Sequence, residues 1–256
     1  MKGRSLLAMS TIGFMILLAV GFAAGAAEIK VLSGNGARAA VRELGAQFER
    51  ASGHKLAIHF EVNAALRRKI LAGETFDVAV LNPPVLDDLI RQGKVAADTR
   101  AVIGRIGIGV AVRAGAPKPD LSSAAAFKRA LLNAKSVAYP REGASGIYFA
   151  GLIDRLGIAA EMKPKLRPMP AEDTVEVVAR GEAELVVVVA SRIVGVPGVE
   201  FAGPLPAELQ TSVGFAAGVG STAREPEAAR ALIRFFTAPA AAPVLRAMGI
   251  EPFVEP

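Results

Sequence analysis

Hydrophobic and polar positions follow two patterns along the chain, which predict strands followed by amphipathic helices. Ile29–Leu32 is a short apolar run, the turn Ser33–Gly36 is polar and glycine-rich, and a helical stripe follows. The stripe repeats at spacings of four and three residues, as one face of a helix requires. It consists of Ala37, Val41, Leu44, Phe48 and Ala51. The chain therefore opens with a predicted strand, turn and helix.

The same succession continues along the chain. Further strands are predicted at Leu56–Phe60, Phe76–Leu81, Arg105–Val112, Ser136–Tyr139 and Leu185–Ala190. Helices are predicted at Ala64–Ala72, Val85–Gln92, Ser122–Leu132, Gly146–Leu156, Asp173–Gly181, Pro226–Thr237 and Pro239–Met248. Asn63 and Ser145 are predicted N-caps, and Asp173–Glu176 has the spacing of a capping box. Strands that alternate with helices indicate an α/β fold with a parallel or mixed sheet.

Two glycine-rich segments suggest that the chain crosses between two domains. Arg113–Leu121 is rich in Gly and Pro after a long apolar strand, and Gly214–Gly218 is a second run of small and apolar residues. We read the first as the crossing into a second domain and the second as the return. The predicted lobe I comprises residues 28–108 and 216–256, and lobe II comprises residues 109–215.

The first 27 residues have the pattern of a targeting segment. Lys2 and Arg4 precede an apolar run from Leu6 to Phe22, and small residues follow as far as Ala27. This pattern is typical of a secretory signal peptide that is removed from the mature protein. An uncleaved anchor is the alternative, because the segment is long enough to span a bilayer. Both interpretations place the rest of the chain outside the cytoplasm, and cleavage predicts a periplasmic protein.

Composition narrows the function classes. The formal net charge of +6 is scattered, without the basic stripe and interleaved aromatics that favour nucleic-acid binding. The chain has no cysteine, which excludes disulfides, thiolate metal sites and a cysteine nucleophile. His54 and His59 lie in or beside a predicted strand and have no metal-ligand spacing. We predict no nucleic-acid partner, no metal and no cofactor.

The strongest candidate chemistry lies at the predicted helix starts. A helix begins with free N–H groups and the positive end of its dipole, so a strand that ends in such a turn presents an anion-binding site. Helix starts at Gly36, Ala64, Ser145 and Thr174 follow strands or their turns. If two of them face each other across a cleft from each lobe, they form a cage of donors for a small anion.

Several segments together resemble the molybdate-binding periplasmic proteins of ABC importers, within the type II solute-binding family. The resemblance spans nearly all of residues 28–252, and is carried by Val31–Phe48, Phe60–Gly73, Phe76–Leu81, Ala144–Tyr148, Pro170–Asp173 and the C-terminal ARALIRFFTAPAAAPVLRAMGIEP. The last two segments are specific in combination. It implies the type II periplasmic-binding-protein fold, with two α/β lobes joined by a two-strand hinge and a ligand cleft between them. It also implies a monomer that captures one small anion and delivers it to a membrane permease.

The resemblance also indicates where the ligand-binding residues should fall. The family's two hydroxyl-bearing turns fall near Gly36 and Asn63–Ala64, its two backbone amides fall at Ser145 and Thr174, and its tyrosine falls at Val189. With the neighbouring polar positions, the candidate ligand-binding residues are Ser33, Asn35, Gly36, Asn63, Ala64, Ser145, Thr174 and Val189. Both serines and the tyrosine of the family are replaced, so we expect weak binding of molybdate and tungstate.

Other interpretations remain open at this level. A ligand-binding sensor or adaptor for a membrane partner fits the same residues as an importer component. An extracytoplasmic hydrolase is disfavoured, because Ser145 lies in Ala-Ser-Gly rather than in a G-x-S-x-G elbow, and we predict that the chain is not an enzyme. Arg38, Arg141 and Glu142 either select an organic carboxylate in the cleft or are solvated turn charges.

Overall fold

A computed structural model describes residues 26–253, so the predicted signal peptide lies outside the described residues except for its last two positions. The strands are β1 Glu28–Gly34, β2 Lys55–Glu61, β3 Val78–Leu81, β4 Ala101–Arg113, β5 Val137–Pro140, β6 Leu166–Met169, β7 Leu185–Val189, β8 Val199–Pro204, β9 Ser212–Val219 and β10 Glu251–Pro252. The helices are α1 Arg38–Ser52, α2 Asn63–Leu71, α3 Pro83–Arg91, α4 Ala124–Asn133, α5 Ala144–Arg155, α6 Ala159–Met162, α7 Glu176–Ala179, α8 Pro226–Thr237 and α9 Ala242–Ala247.

The strands form one mixed sheet in the order β2-β1-β3-β9-β4-β7-β5-β6, with β8 and β10 also paired to β4. Strands β1, β2 and β3 are parallel, as are β5, β6 and β7, whereas β4 and β9 run antiparallel to their neighbours. The long strand β4 changes partner along its length, because its residues up to Gly107 pair with β9 and those from Ile108 pair with β7. We call the β2-β1-β3-β9 side the first half-sheet and the β7-β5-β6 side the second half-sheet.

The side chain of Gln210 forms two hydrogen bonds to the backbone at the point where β4 changes partner. Gln210 Oε1 accepts a hydrogen bond from the N–H of Ile108 at 2.8 Å, and its Nε2 donates to the carbonyl of the same residue at 2.9 Å. This change of pairing lies beside the predicted lobe boundary at residues 108–109. The predicted crossing Arg113–Leu121 begins at the last residue of β4, and the predicted return Gly214–Gly218 falls inside β9. The lobe boundaries themselves stay a prediction.

Helices cover the sheet with the apolar stripes that their spacing predicts. Ala37, Val41, Leu44 and Phe48 of the first stripe are buried. Ala51 is exposed, so its predicted inward position is wrong, because it lies in the last turn of α1 just before the chain turns away at Gly53. Each large buried aliphatic or aromatic side chain contributes about 1.5–3 kcal/mol, and this burial ties the helices to the sheet.

The predicted caps are wrong at three helix starts. Asn63 is the first residue of α2 rather than its N-cap, and Ser145 is the second residue of α5, whose N-cap is Gly143. The predicted capping box at Asp173–Glu176 does not form, since α7 begins only at Glu176 without a side-chain cap. In none of the three helices does the expected side chain act as the cap.

Between residues 26 and 253, no single helix is long and apolar enough to cross a membrane. Length and composition reach that threshold only when Pro226–Thr237 and Pro239–Ala247 are counted together across a 58° bend.

Candidate functional site

The residues that follow the carboxyl ends of six strands, β1, β2, β3, β5, β6 and β7, converge on one cleft. This is the position at which open α/β sheets bind their ligands. Its inner chamber is a cavity of about 50 Å³. The lining residues are Asn35, Gly36, Val62, Asn63, Asn82, Pro140, Glu142, Gly143, Ala144, Ser145, Ala171, Val188, Val189, Arg192, Val213 and Phe215.

A wider outer chamber of about 460 Å³ adjoins the inner one. It is lined by Asn35, Arg38, Phe60, Glu61, Val62, Arg141, Glu142, Pro170, Ala171 and Glu172. Asn35, Val62, Glu142 and Ala171 line both chambers, so the two are parts of one cleft. A larger groove of about 850 Å³ lies between β4 and the C-terminal helices, but its lining includes no residue from the carboxyl ends of β1, β2 or β3.

From the first half-sheet, asparagine side chains supply the donors. Asn63 Oδ1 accepts a hydrogen bond from the backbone N–H of Asn82 at 2.9 Å. This bond orients the amide, because the oxygen must face the N–H group, and it leaves Nδ2 without a partner in the described part of the chain. A Cβ at Gly34 would lie 2.8 Å from that Nδ2, so the glycine makes room for the donor.

From the second half-sheet, the start of α5 supplies backbone donors. Gly143, at a φ of 112°, turns the chain into the helix, and a Cβ at Gly146 would lie 1.7 Å from the carbonyl oxygen of Pro140. Only a glycine therefore allows α5 to begin so close to the end of β5. The first N–H groups of the helix carry its positive dipole end toward the cleft. The hydroxyl of Ser145 adds a donor that makes no hydrogen bond to any residue between 26 and 253.

Two arginines add positive charge beside these neutral donors. Arg192 lines the inner chamber with a side chain that is 13% exposed, and its Nη2 donates to the carbonyl of Ala171 at 2.9 Å. Arg38 lines the outer chamber, and its Nη2 donates to Asn35 Oδ1 at 2.6 Å. Burial lowers the pKa of the Arg38 guanidinium, and the charges of Arg192 and Arg42 lower it further. These positive charges lie close together in the described cleft, which favours a negatively charged occupant.

The remaining wall of the inner chamber is apolar. Val188, Val189, Val213 and Phe215 contribute it, and a Cβ at Gly36 would come within 3.1 Å of the Phe215 ring. A ligand in this chamber therefore meets hydrogen-bond donors on some sides and hydrocarbon on another.

The structure brings five of the eight candidate ligand-binding residues to the cleft. Asn35, Gly36, Asn63, Ser145 and Val189 line the inner chamber. Their assignment as ligand contacts stays a prediction.

The other three candidates line neither chamber. Ser33 is fully buried and its hydroxyl donates to the Gly34 carbonyl at 3.3 Å. Thr174 is also fully buried and donates to the Pro170 carbonyl at 2.7 Å. Ala64 faces solvent in the first turn of α2. The two hydroxyls thus turn inward to backbone carbonyls and the alanine side chain turns outward, while the assignment of these three residues as ligand contacts stays a prediction.

Sequence reasoning named only part of the inner chamber, and the polar and aromatic lining residues that it did not propose as ligand contacts are Asn82, Arg192 and Phe215. Asn82 follows the apolar strand β3 directly and precedes two prolines, a signal that could have been read as a polar strand end. Arg192 lies in the short turn Ala190–Arg192 that directly follows the valine-rich strand β7, so it too could have been read as a polar residue at a strand end. Phe215 lies inside β9, and no local pattern distinguishes it from an ordinary core residue.

The histidines lie outside both chambers. His54 Nδ1 accepts a hydrogen bond from the N–H of Ala27 at 3.0 Å, and His59 contacts Glu61 at 3.1 Å on the surface. Among the residues that the structure describes, no group of three His, Asp or Glu side chains lies close enough to hold a metal ion.

Comparison with known proteins places the chain in a family. The model of a family described as bacterial extracellular solute-binding protein matches residues 29–251. An aconitate isomerase from a Pseudomonas species is 36% identical over 230 residues, which are 88% of this chain and 87% of that protein.

The fold is also found in solved structures, among them a molybdate-binding protein and a sulfate-binding protein. The periplasmic molybdate-binding protein of Azotobacter vinelandii superposes with a TM-score of 0.74 at 18% identity, over 89% of this chain and 99% of that one. The sulfate-binding protein SubI from Mycobacterium tuberculosis H37Rv gives a TM-score of 0.67 at 18% identity, over 90% and 88%. The predicted type II periplasmic-binding-protein fold is confirmed, and the chain belongs to the bacterial extracellular solute-binding protein family.

Proposed function

We propose that the chain is the periplasmic solute-binding component of an ABC importer, and that it captures a small organic anion in the cleft. In this proposal a signal peptide is removed near Ala27, and residues 28–108 with 216–256 close as one lobe against residues 109–215. The closed monomer then delivers its ligand to a membrane permease.

The observation that carries the proposal is the uneven lining of the inner chamber. Asparagine amides, the start of α5 and Arg192 provide donors, whereas Val189, Val213 and Phe215 provide a hydrocarbon wall. A tetrahedral oxyanion has oxygens on every side, so oxygens that face such a wall would lose hydrogen bonds to water without replacement. An organic carboxylate places its oxygens on the donors and its carbon skeleton on the wall.

A second feature disfavours a simple oxyanion. Helix α3 also begins at the cleft, directly after Asn82, but its first two residues are Pro83 and Pro84. Proline has no backbone N–H group, so this helix start lacks two of its donors. The relative named aconitate isomerase supports an organic anion independently, because the name identifies a carboxylate ligand.

Thermal unfolding with three ligands tests the proposal. Trans-aconitate, molybdate and sulfate are added separately at millimolar concentration to the purified mature chain. A ligand at a hundred times its Kd adds about 2.7 kcal/mol, which raises the Tm of a protein of this size by several degrees. We expect trans-aconitate to raise the Tm and molybdate to leave it nearly unchanged. A strong shift with molybdate alone would contradict the organic-anion proposal.

A blocking variant locates the binding. Gly36→Val directs a branched side chain toward Phe215 and Val189 in the inner chamber, so it should abolish the ligand-induced shift. Gly151→Val is the matched control, because its Cβ would meet only the end of the Arg155 side chain at 3.5 Å. The control should keep the full shift, and equal losses in both variants would place the site elsewhere.

A second candidate function is isomerisation of aconitate itself, which the 36% identity to aconitate isomerase favours. Glu142 lines both chambers and could remove a proton from the methylene carbon of the ligand. The double bond would shift, and the proton would return to the former vinyl carbon, so no oxidant or reductant is needed. Incubation of trans-aconitate in D2O, followed by NMR, tests this: the activity predicts cis product that Glu142→Gln abolishes, and pure binding predicts no conversion.

A further inference from the structure

The guanidinium of Arg38 is held in place without an acid partner. Its Nη2 group donates to Asn35 Oδ1. The guanidinium also lies over the ring of Phe60, with 4.9 Å between the guanidinium carbon and the ring centroid. Its Nε is buried and has no hydrogen-bond partner among residues 26–253. A buried donor without a partner is unfavourable, so an acceptor from outside the chain that reached this guanidinium would stabilise the arrangement.

The charges around Arg38 lead to the same conclusion. Burial and the neighbouring Arg192 and Arg42 all disfavour its positive charge, and Glu172 and Glu176 offset them only in part. No acid side chain in the described residues lies within ion-pair distance of Arg38.

The acid groups that line the outer chamber, Glu61, Glu142 and Glu172, form no ion pair with Arg38 among the described residues. The charge of Glu172 raises the pKa of Arg38, but not enough to offset burial and the neighbouring arginines. Glu61 is engaged by Lys69 and His59, and hydrogen bonding to Lys69 lowers the pKa of its carboxyl. Glu142 lies in an exposed position at the start of the turn that leads to α5. An anion that enters the outer chamber would thus supply the negative charge that Arg38 lacks.

We propose that Arg38 binds a second acid group of the ligand, so that the cleft selects polycarboxylates over monocarboxylates. This inference rests on the proposed function and assigns one carboxylate to the inner chamber and another to Arg38 in the outer chamber. The planar guanidinium suits the role, because it can hold a carboxylate through two parallel hydrogen bonds. The contact with Phe60 fixes the plane in which that fork lies.

Calorimetric titration of three variants with two ligands tests the inference. The tricarboxylate probe is trans-aconitate and the monocarboxylate probe is crotonate, which shares a short unsaturated skeleton. Removal of one partner from a buried charge pair typically weakens binding about 30-fold or more. We expect Arg38→Gln to weaken trans-aconitate binding by about that factor and crotonate binding less than 3-fold. Arg38→Lys keeps the positive charge but cannot form two parallel hydrogen bonds to one carboxylate. Its affinity for trans-aconitate should lie between those of the unaltered chain and Arg38→Gln.

Arg42→Gln is the matched control. Arg42 lies one helical turn along α1, contacts the same Phe60 ring at 5.3 Å and lines neither chamber. The Arg42→Gln variant should bind both probes with affinities within 3-fold of those of the unaltered chain. A Tm measurement without ligand establishes that each variant is folded.

The outcomes separate the two proposals. If the unaltered chain binds trans-aconitate but Arg38→Gln weakens both probes equally, or neither, the role of Arg38 is overturned while the carboxylate function stands. If the unaltered chain binds neither carboxylate, the proposed function fails and the inference fails with it. If Arg42→Gln reproduces the loss seen in Arg38→Gln, general charge rather than a specific contact is responsible, which also overturns the inference.

Discussion

The two half-sheets present donors to the cleft in different ways. At the start of α2, the donor is a side-chain amide, that of Asn63, which the N–H of Asn82 orients. At the start of α5, the donors are backbone N–H groups, and the absence of a side chain at Gly146 seats them against Pro140. The first half-sheet thus offers donors that one substitution can change, whereas the second offers donors that move only if the helix moves.

This difference indicates how one fold can serve several anions. Backbone donors and the helix dipole attract negative charge without regard to its chemical identity. Side-chain amides and arginines distinguish ligands by shape and by the number of acid groups. We therefore expect ligand identity to depend mainly on the amide of Asn63 and on the two arginines, and the binding of any anion to depend on the start of α5.

The largest expected effect follows from disturbing the close contact between the start of α5 and the end of β5. Gly146→Ala would drive a Cβ into the carbonyl oxygen of Pro140, which is backbone and cannot swing aside. We expect a loss of about 3 kcal/mol in the free energy of unfolding, measured by urea denaturation. Ligand affinity should fall as well, because the helix start has to shift.

Gly34→Ala is the control from the first half-sheet. Its Cβ would lie 2.8 Å from Asn63 Nδ2, the end of a side chain that can rotate. We expect a loss below about 1 kcal/mol, with reduced ligand affinity. If both glycine variants destabilise the chain equally, the contrast between fixed and adjustable donors is wrong.

The second effect is on the oriented amide. Asn63→Asp keeps the oxygen that accepts from Asn82 and replaces the free Nδ2 donor with a negatively charged oxygen acceptor. We expect stability to remain nearly unchanged and anion affinity to fall about 100-fold, because a charge-assisted hydrogen bond becomes a repulsion. Titration calorimetry and urea denaturation measure the two quantities separately.

Asn63→Ala complements that variant. It removes the acceptor for the Asn82 N–H group as well as the donor, so stability should fall by about 1–2 kcal/mol. Unchanged affinity in Asn63→Asp would show that Nδ2 does not contact the ligand.

Much of the fold could be predicted from the sequence because local patterns specify it. The bounds of α8 follow from Pro226 at its first turn and an unbroken apolar stripe, and both ends match the prediction. Strand β9 was interpreted as a crossing between lobes and not as a strand, because its small residues and glycines give no alternating pattern. Strands β6, β8 and β10 were also missed, for other physical reasons. They are short edge elements, β6 has two exposed residues in four and contains Pro168, and none alternates clearly enough to be recognised.

The candidate site was less predictable because it depends on contacts between distant residues. Asn63 was expected as a helix cap, but its amide is used across 19 residues to hold Asn82. Arg192 and Phe215 reach the cleft only because β4 changes partner and brings β7 and β9 to the same edge. No pattern within one segment predicts that two distant strands lie together. The sequence therefore indicated the helix starts at the cleft but not all of the residues that line it.

The smallest expected effect concerns the hydroxyl at the start of α5. Ser145→Ala removes an unpartnered Oγ but leaves the backbone N–H groups and Gly146 in place, so the seat of the helix is intact. A single neutral hydrogen bond contributes about 0.5–1.5 kcal/mol, which corresponds to a roughly 3- to 10-fold loss of affinity. Calorimetric titration with trans-aconitate measures it against the 100-fold loss expected for Asn63→Asp. If Ser145→Ala matches or exceeds that loss, a side chain rather than the backbone provides the main donor of the second half-sheet, and the two helix starts work in the same way.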